Sequence, residues 1–160
     1  MAKGTPAVQA LTRAKIAFTL HEYDFVATPG AIGLQAALAM GVAPERVQKT
    51  LMAVVDEQEL VVAVIAVDRE LDLKALAKAA GGKRAAMAEV ARAERATGYV
   101  KGGISPFGQK KRHRTFLDAT ALALPTIIVN GGRRGLQIEL APADLLAATA
   151  GTATALARVI

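Results

Sequence analysis

The 160-residue sequence predicts an α+β fold with a mixed, mainly antiparallel sheet that is curled towards a barrel and surrounded by helices. Two observations lead to this prediction. Runs rich in β-branched residues follow one another along the chain with short breaks, which favours antiparallel pairing. Helix signals stand at the ends of the chain and between pairs of these runs, which disfavours a doubly wound sheet. The length and the lack of any linker-like segment predict one domain over residues 1–160.

The N-terminal part predicts helix, strand and helix in that order. Thr5-Pro6 predicts the first helix, because threonine is a good N-cap and proline is tolerated at the first helical position. The alternation from Phe18 to Tyr23 predicts a short strand. Thr28-Pro29 repeats the cap signal, and the helix that follows is expected to end at Gly41.

The middle of the chain predicts a hairpin and two further helices. Residues 47–55 and 59–67 are strand-like runs, and their near-continuous hydrophobicity indicates a sheet that is covered on both faces. Asp72 is the expected N-cap of a helix that ends at Gly81-Gly82. A short helix over 89–96 leads into a glycine-rich loop.

The C-terminal part predicts three strands near 114–118, 125–130 and 135–140. Pro142 is expected to start a helix. The alanine-rich tail that follows also predicts a helix, because alanine has the highest helix propensity.

Composition excludes several classes of site. The chain contains no cysteine, which excludes disulfides, thiolate metal sites and cysteine nucleophiles. Its two histidines lie far apart in sequence, so no metal centre and no cofactor are expected. No uninterrupted apolar run approaches about 18 residues and no signal-like leader stands at Met1, so we expect a cytoplasmic protein without membrane contact.

The positive charge is concentrated in one part of the chain. Residues 1–94 carry eleven basic and eleven acidic residues, whereas residues 95–160 carry nine basic and three acidic ones. Lys110, Lys111 and Arg112 form one cluster and Arg133-Arg134 a second. A solvated loop explains a single cluster, but two clusters favour a phosphate-binding surface such as one for nucleic acid.

Three features of the sequence are not explained by the formation of a hydrophobic core. Lys49 lies inside the strand 47–55, where it is either an edge lysine that prevents aggregation or a cavity lysine that binds an anion or polarises a carbonyl. The loop 97–114 is rich in glycine and runs directly into the first basic cluster, which suits close approach to a phosphate-bearing ligand. Asn130-Gly131-Gly132 is typical of a hairpin turn, and Arg133-Arg134 follow it.

These segments, in order, resemble the YbaK family of aminoacyl-tRNA deacylases. The resemblance rests on TPAVQALTRAKI near the start, VQKTLMAVV, LDLKALAKAAGGK, TGYVKGGISPFGQKKR and GGRRGLQIEL. It covers the chain from about Thr5 to Leu145 and implies the YbaK-like fold. It also implies a trans-editing enzyme that removes a wrongly attached amino acid from tRNA, with Cys-tRNA(Pro) as the first expectation and prolyl-tRNA synthetase as a possible partner.

The resemblance implies roles for individual residues. It makes Lys49 and the backbone N–H of Gly102 catalytic, and it places Tyr23 and Thr50 in the substrate pocket. The remaining expected pocket residues are Gly103, Ile104, Ser105, Asn130 and Gln137. The expected tRNA-binding residues are Lys110, Lys111, Arg112, Arg133 and Arg134. In this family the thiol of the substrate attacks its own ester, which suits a chain without cysteine or a Ser-His-Asp triad.

Two positions depart from the cysteine-specific branch, in which we expect a serine at position 130 and an aspartate at position 137. Here these positions are Asn130 and Gln137, so a carboxylate is lost. Removal of alanine, serine or threonine therefore stays open, and an alanyl ester would need attack by water. A tRNA- or nucleotide-binding module without catalysis is the other alternative.

Overall fold

The computed structural model describes residues 4–25 and 32–160, and within these ranges the predicted helices and strands are largely confirmed. The helices are α1 (Pro6–Arg13), α2 (Ile32–Met40), α3 (Leu73–Ala79), α4 (Val90–Thr97) and α5 (Pro142–Thr149). The strands are β1 (Thr19–Glu22), β2 (Gln48–Val55), β3 (Glu59–Ala66), β4 (Arg69–Leu71), β5 (Ala85–Met87), β6 (Arg114–Asp118), β7 (Ile127–Asn130), β8 (Leu136–Leu140), β9 (Thr152–Thr154) and β10 (Ala157–Val159). The predicted cap at Thr28-Pro29 lies outside the described residues.

The sheets confirm the α+β class and the mixed, mainly antiparallel pairing. One sheet has the order β5-β2-β3-β6-β9, a second has the order β1-β8-β7, and β4 pairs with β10. The β3–β6 and β6–β9 pairs are parallel, and the other named pairs are antiparallel. An isolated bridge between Val47 and Ile128 connects the two larger sheets, so the start of β2 lies beside β7.

The core covers both faces of β3, as the hydrophobicity of the hairpin predicts. Val62 and Val64 pack in a cluster with Leu117 of β6, and this cluster also contains α1 and β8 side chains. Val61 and Ala63 point to the other face and pack in a second cluster with α3. A small third cluster packs α2 over the junction of β2 and β7. Within residues 4–25 and 32–160, no helix is long and apolar enough to cross a membrane.

The prediction of a helical C-terminal tail is wrong. Residues 152–154 form β9 and residues 157–159 form β10. The carboxylate of Asp118 accepts hydrogen bonds from the backbone N–H groups of Leu156 and Ala157, at 2.8 and 3.0 Å. Leu156 is buried at that point. Pairing with β6 and β4 therefore outweighs the helix propensity of alanine, which is a weak local preference.

Candidate active site

The glycine-rich loop after α4 is held in shape by its own backbone and side chains. Gly98 ends α4 in the left-handed conformation with φ of 81°, which glycine adopts without steric cost. The buried hydroxyl of Tyr99 donates a 2.6 Å hydrogen bond to the carbonyl of Phe107, and burial raises the pKa of Tyr99 to about 12. The buried hydroxyl of Ser105 accepts from the N–H of Phe107 at 3.3 Å. Ser105 thus serves the internal order of the loop.

Asn130 connects this loop to the β7–β8 hairpin. Its Nδ2 donates to the carbonyls of Gly102 and Arg133, both at 3.1 Å, and its Oδ1 accepts from the N–H of Gly132 at 2.6 Å. Gly103 lies so close to the hairpin that a Cβ there would be 3.0 Å from the Cα of Arg133. All the hydrogen-bonding atoms of the Asn130 side chain are therefore used to position the loop.

Three predicted pocket residues have buried polar atoms without a partner. The Tyr23 hydroxyl, Thr50 Oγ1 and Gln137 Oε1 have no hydrogen bond within the described parts of the chain. Such atoms are rare in folded proteins and each requires an explanation, one of which is a ligand. Nε of Arg46 and Oε1 of Gln48 have the same property outside the expected pocket, so the three atoms mark buried polar positions and do not by themselves identify a ligand.

Tyr23 and Gln137 lie side by side. The N–H of Tyr23 donates to the carbonyl of Gly135 at 2.9 Å, just beyond β1. Gln137 stands in β8 between His21 of β1 and Asn130 of β7. Burial raises the pKa of Tyr23, while the nearby Gln137 side chain and the backbone of Gly135 act in the opposite direction. The hydroxyl and the amide are thus neighbours that do not meet hydrogen-bond geometry.

Lys49 lies apart from this hydrogen-bonded cluster, in an open groove of about 630 Å³. It stands in β2 opposite Ile65, and strand alternation places it and Thr50 on opposite faces. Burial lowers the pKa of Lys49, and the negative charges of Glu70 and Asp68 partly counteract this effect. Among the described residues, none of the other predicted catalytic or pocket residues lines this groove, so the structure does not bring Lys49 together with the glycine-rich loop there. Lys49 is half-buried and two residues from the bridge at Val47, which leads to β7.

Ile104 and the predicted basic residues fall into different environments. Ile104 is half-buried and packs against the main core cluster. Lys110, Lys111 and Arg112 are exposed. Arg133 forms a 2.9 Å ion pair with Glu22. Arg134 donates from Nε to the carbonyl of Lys101 at 2.9 Å and lies over the ring of Phe25, with 5.2 Å to its centroid.

Sequence reasoning missed a polar cluster around Glu139 on β8. Its carboxylate accepts hydrogen bonds from His21 at 2.7 Å, from Arg46 at 2.7 Å and from Thr126 at 2.5 Å. These bonds lower the pKa of Glu139, the one from Thr126 most strongly, while burial acts against them. The only signal in the sequence is a charged residue inside an apolar strand.

Residues that bind metals are not clustered in the part of the chain that the structure describes. No group of three or more histidine, cysteine, aspartate or glutamate side chains comes together there. The chemistry that this site offers rests instead on an ammonium group, hydroxyls, amides and backbone N–H groups. Such groups orient a carbonyl and stabilise negative charge that develops on its oxygen.

Comparison with known proteins identifies relatives over nearly the whole chain. A family model described as an aminoacyl-tRNA editing domain matches residues 31–148. The Enterococcus faecalis protein EbsC, provisionally named a Cys-tRNA(Pro)/Cys-tRNA(Cys) deacylase, is 40% identical over 92% of this chain and 89% of its own. The uncharacterised Bacillus subtilis protein YwhH is 31% identical over 69% of this chain and 70% of its own.

Solved structures share the fold at lower identity. A protein provisionally described as a trans-editing enzyme for prolyl-tRNA synthetase superposes with a TM-score of 0.83 and 23% identity, over 96% of this chain and 95% of that one. The hypothetical protein APE2540 superposes with a TM-score of 0.85 and 21% identity, over 96% and 99% of the two chains.

Proposed function

This chain belongs to the aminoacyl-tRNA editing domain family, and on that premise we propose that it removes cysteine from mischarged tRNA(Pro). The observation that carries the proposal is the adjacent pair Tyr23 and Gln137, whose buried hydroxyl and amide oxygen have no partner within the described chain. Thr50 Oγ1 is a third expected pocket atom with the same property. An aminoacyl ester offers the ammonium, carbonyl and ribose groups that would pair with such atoms. The need for editing is physical, since a binding pocket separates amino acids of similar size only about 10–200-fold.

The reaction needs no attacking atom from the protein. The thiol sulfur of the cysteinyl group bonds to its own ester carbonyl carbon, and the bond from that carbon to the ribose oxygen breaks. The thiol proton ends on the ribose oxygen, so the products are a cyclic thiolactone and free tRNA. The protein must hold the ester in the reactive conformation and stabilise the negative charge on the carbonyl oxygen.

Two groups are assigned to that charge. The N–H of Gly102 has no acceptor among residues 4–25 and 32–160. It shares its peptide plane with the carbonyl of Lys101, which accepts a 2.9 Å hydrogen bond from Nε of Arg134. The loop therefore presents the amide in a set orientation. Lys49 offers an ammonium group in a groove, where it binds the terminal adenosine or its phosphate or stabilises the charge itself.

Gln137 and Asn130 have different effects on specificity. Asn130 is fully engaged with backbone groups and holds the loop, as described above. Gln137 keeps a free amide oxygen next to Tyr23 and is the group in contact with the aminoacyl moiety. An amide cannot serve as a base or neutralise a substrate ammonium as a carboxylate does, so alanyl, seryl or threonyl esters are the competing substrates.

The exposed cations supply contacts to the tRNA. Lys110, Lys111 and Arg112 have no ion-pair partner within the described chain, so they are available to phosphates. Arg133 and Arg134 are partly used in holding the hairpin to Glu22 and Lys101. So small a basic surface favours a partner that provides tRNA selectivity, for which we propose prolyl-tRNA synthetase. Co-elution of the two proteins only when tRNA is present would support this partner.

One assay tests the proposed reaction. Purified protein is incubated with tRNA(Pro) charged with cysteine, alanine, serine, threonine or proline, and loss of each ester is followed. We expect fastest loss of the cysteinyl ester, with the thiolactone or its hydrolysis product. Fastest loss of the alanyl ester with no dependence on a thiol overturns the cysteine assignment, and binding without any turnover overturns the enzyme.

A further inference from the structure

A second cleft lies behind the glycine-rich loop, between it and α1. Its volume is about 250 Å³, and it is partly open to solvent. We call it the loop cleft, and it is lined by Ala10, Leu11, Ala14, Pro106, Phe107, Gly108, Gln109, Lys111, Arg112, His113, Thr115, Ala148 and Thr149. We propose that the loop cleft binds one unstacked nucleotide of the tRNA, with the base on its apolar wall and the phosphate at Lys111 and Arg112.

The shape and lining of the loop cleft suit a base with an attached phosphate. Ala10 of α1 and Ala14, the C-cap residue just after it, form an apolar wall, and the buried Pro106 and Phe107 lie beneath the cleft on the loop side. Two cations, Lys111 and Arg112, stand at the cleft, and no carboxylate from residues 4–25 or 32–160 lines it. Apolar surface next to cations that follow the backbone is a feature of sites for single-stranded nucleic acid. Phe107 is only 3% exposed, so the base would pack on the alanine wall rather than stack on this ring.

His113 adds a hydrogen-bonding group whose donor and acceptor nitrogens can be assigned. Gln109 donates from Nε2 to the carbonyl of Ser105 at 3.0 Å, so its Oε1 faces Nδ1 of His113 at 2.7 Å as an acceptor. His113 must therefore carry its proton on Nδ1. Burial, and then the charge of Lys111, lower the pKa of His113, which favours the neutral ring. Its Nε2 is then an acceptor, suited to a base amino group or a ribose hydroxyl.

The loop cleft is separate from the proposed ester site but belongs to the same loop. None of the expected ester-pocket residues is among the residues that line the cleft. Ser105 connects the two along the chain, because its carbonyl accepts from Gln109 and its hydroxyl accepts from the N–H of Phe107. A nucleotide in the loop cleft would thus hold the RNA against the same loop that presents Gly102. The identification of the RNA as tRNA rests on the proposed function, while the binding chemistry does not.

Equilibrium binding of uncharged RNA tests the proposal without a need for turnover. Fluorescence anisotropy follows a labelled single-stranded RNA and a duplex of equal length over a series of salt concentrations. Ala10→Leu fills the loop cleft, with Ala91→Leu on the exposed side of α4 as its control. Lys111→Gln removes one cation, with Lys78→Gln on α3 as its control. If Ala10→Leu fails to fold, Ala14→Leu places a leucine in the same cleft from an exposed position.

We expect Ala10→Leu to weaken single-strand binding about five- to tenfold at every salt concentration and to leave duplex binding unchanged. Lys111→Gln should reduce the slope of log affinity against log salt by about 0.7. Equal affinities for Ala10→Leu and Ala91→Leu overturn the proposal. Adenosine or cytidine monophosphate that binds as tightly as the single strand also overturns it, in favour of a free nucleotide. If the protein binds single-stranded RNA as expected but deacylates none of the charged tRNAs, only the proposed function is refuted.

Discussion

The side-chain amide of Asn130 donates a 3.1 Å hydrogen bond to the carbonyl of Gly102 and thereby ties the glycine-rich loop to the β7–β8 hairpin. The same nitrogen donates to the carbonyl of Arg133, and Oδ1 accepts from Gly132. A peptide group cannot rotate freely when its carbonyl is fixed. The bond at Gly102 therefore also limits how the adjoining backbone can move.

Asn130→Ala should loosen the loop, because the Gly102 carbonyl and the Gly132 N–H lose their partner. The Arg133 carbonyl keeps its 3.3 Å bond from the N–H of Leu136. Groups left unpaired in this way typically cost about 1–3 kcal/mol of stability. We expect kcat for deacylation to fall by at least about tenfold, which corresponds to about 1.4 kcal/mol of lost transition-state stabilisation. Urea unfolding and single-turnover kinetics measure the two effects. An unchanged kcat with reduced stability would limit Asn130 to a structural role.

Lys49→Met should abolish activity and stabilise the fold. Loss of one group that stabilises the oxyanion typically costs about 10²–10³ in rate. Burial lowers the pKa of Lys49, so the unfolded chain holds this proton more tightly than the folded chain. The charged lysine therefore reduces stability below its folded-state pKa, and the penalty fades as the pH rises towards 10.5.

For Lys49→Met, the deacylation rate is measured at pH 7, and thermal unfolding is measured at pH 7 and at pH 10. We expect a higher Tm than wild type at pH 7 and a smaller difference at pH 10. Lys78→Met, at an exposed position on α3, is the control and should change neither quantity. Retention of activity within a few-fold of wild type would remove Lys49 from the mechanism.

Glu139→Gln should make the free energy of unfolding depend less on pH under acidic conditions. Hydrogen bonds from Thr126, His21 and Arg46 lower the pKa of Glu139 below 4.5, so its contribution is present above 4.5 and is lost as the pH falls through the folded-state pKa. We expect a loss of about 1–3 kcal/mol at pH 7. The loss should shrink in denaturant titrations near pH 3. A constant difference at all pH values would contradict this account.

Gly103→Ala should separate the loop from the hairpin by direct steric conflict. Its Cβ would stand 3.0 Å from the Cα and 3.1 Å from the carbonyl carbon of Arg133, and backbone atoms cannot yield as a flexible side chain does. Overpacking of this kind costs about 1–3 kcal/mol. Gly41→Ala is the control, because it meets no atom within 4 Å and probes only its φ of 67°. If only Gly103→Ala reduces deacylation, the contact between loop and hairpin is required for activity.

Local signals in the sequence predicted most elements of this fold. The pair Thr5-Pro6 predicted the start of α1, and the Thr5 side chain does accept from the N–H of Val8. Asp72 predicted the cap of α3 in the same way. The short strands β4 and β5 have no comparable signal in the sequence. Each is three residues long and forms only because it pairs with another strand, β4 with β10 and β5 with β2. The C-terminal tail was predicted wrongly because its strands depend on Asp118, which lies far away in sequence.

By itself the sequence determined the family, the order of the main elements and the candidate residues, because caps, strand runs and motifs are local patterns. Only the tertiary structure decided how those residues are used. It placed Lys49 in a groove lined by residues of β4 and α3 and assigned Asn130 to the loop backbone. It also left the polar atoms of Tyr23 and Gln137 buried without a partner within the described chain. These outcomes depend on strand register and on contacts between residues that are distant in sequence, which no local pattern contains.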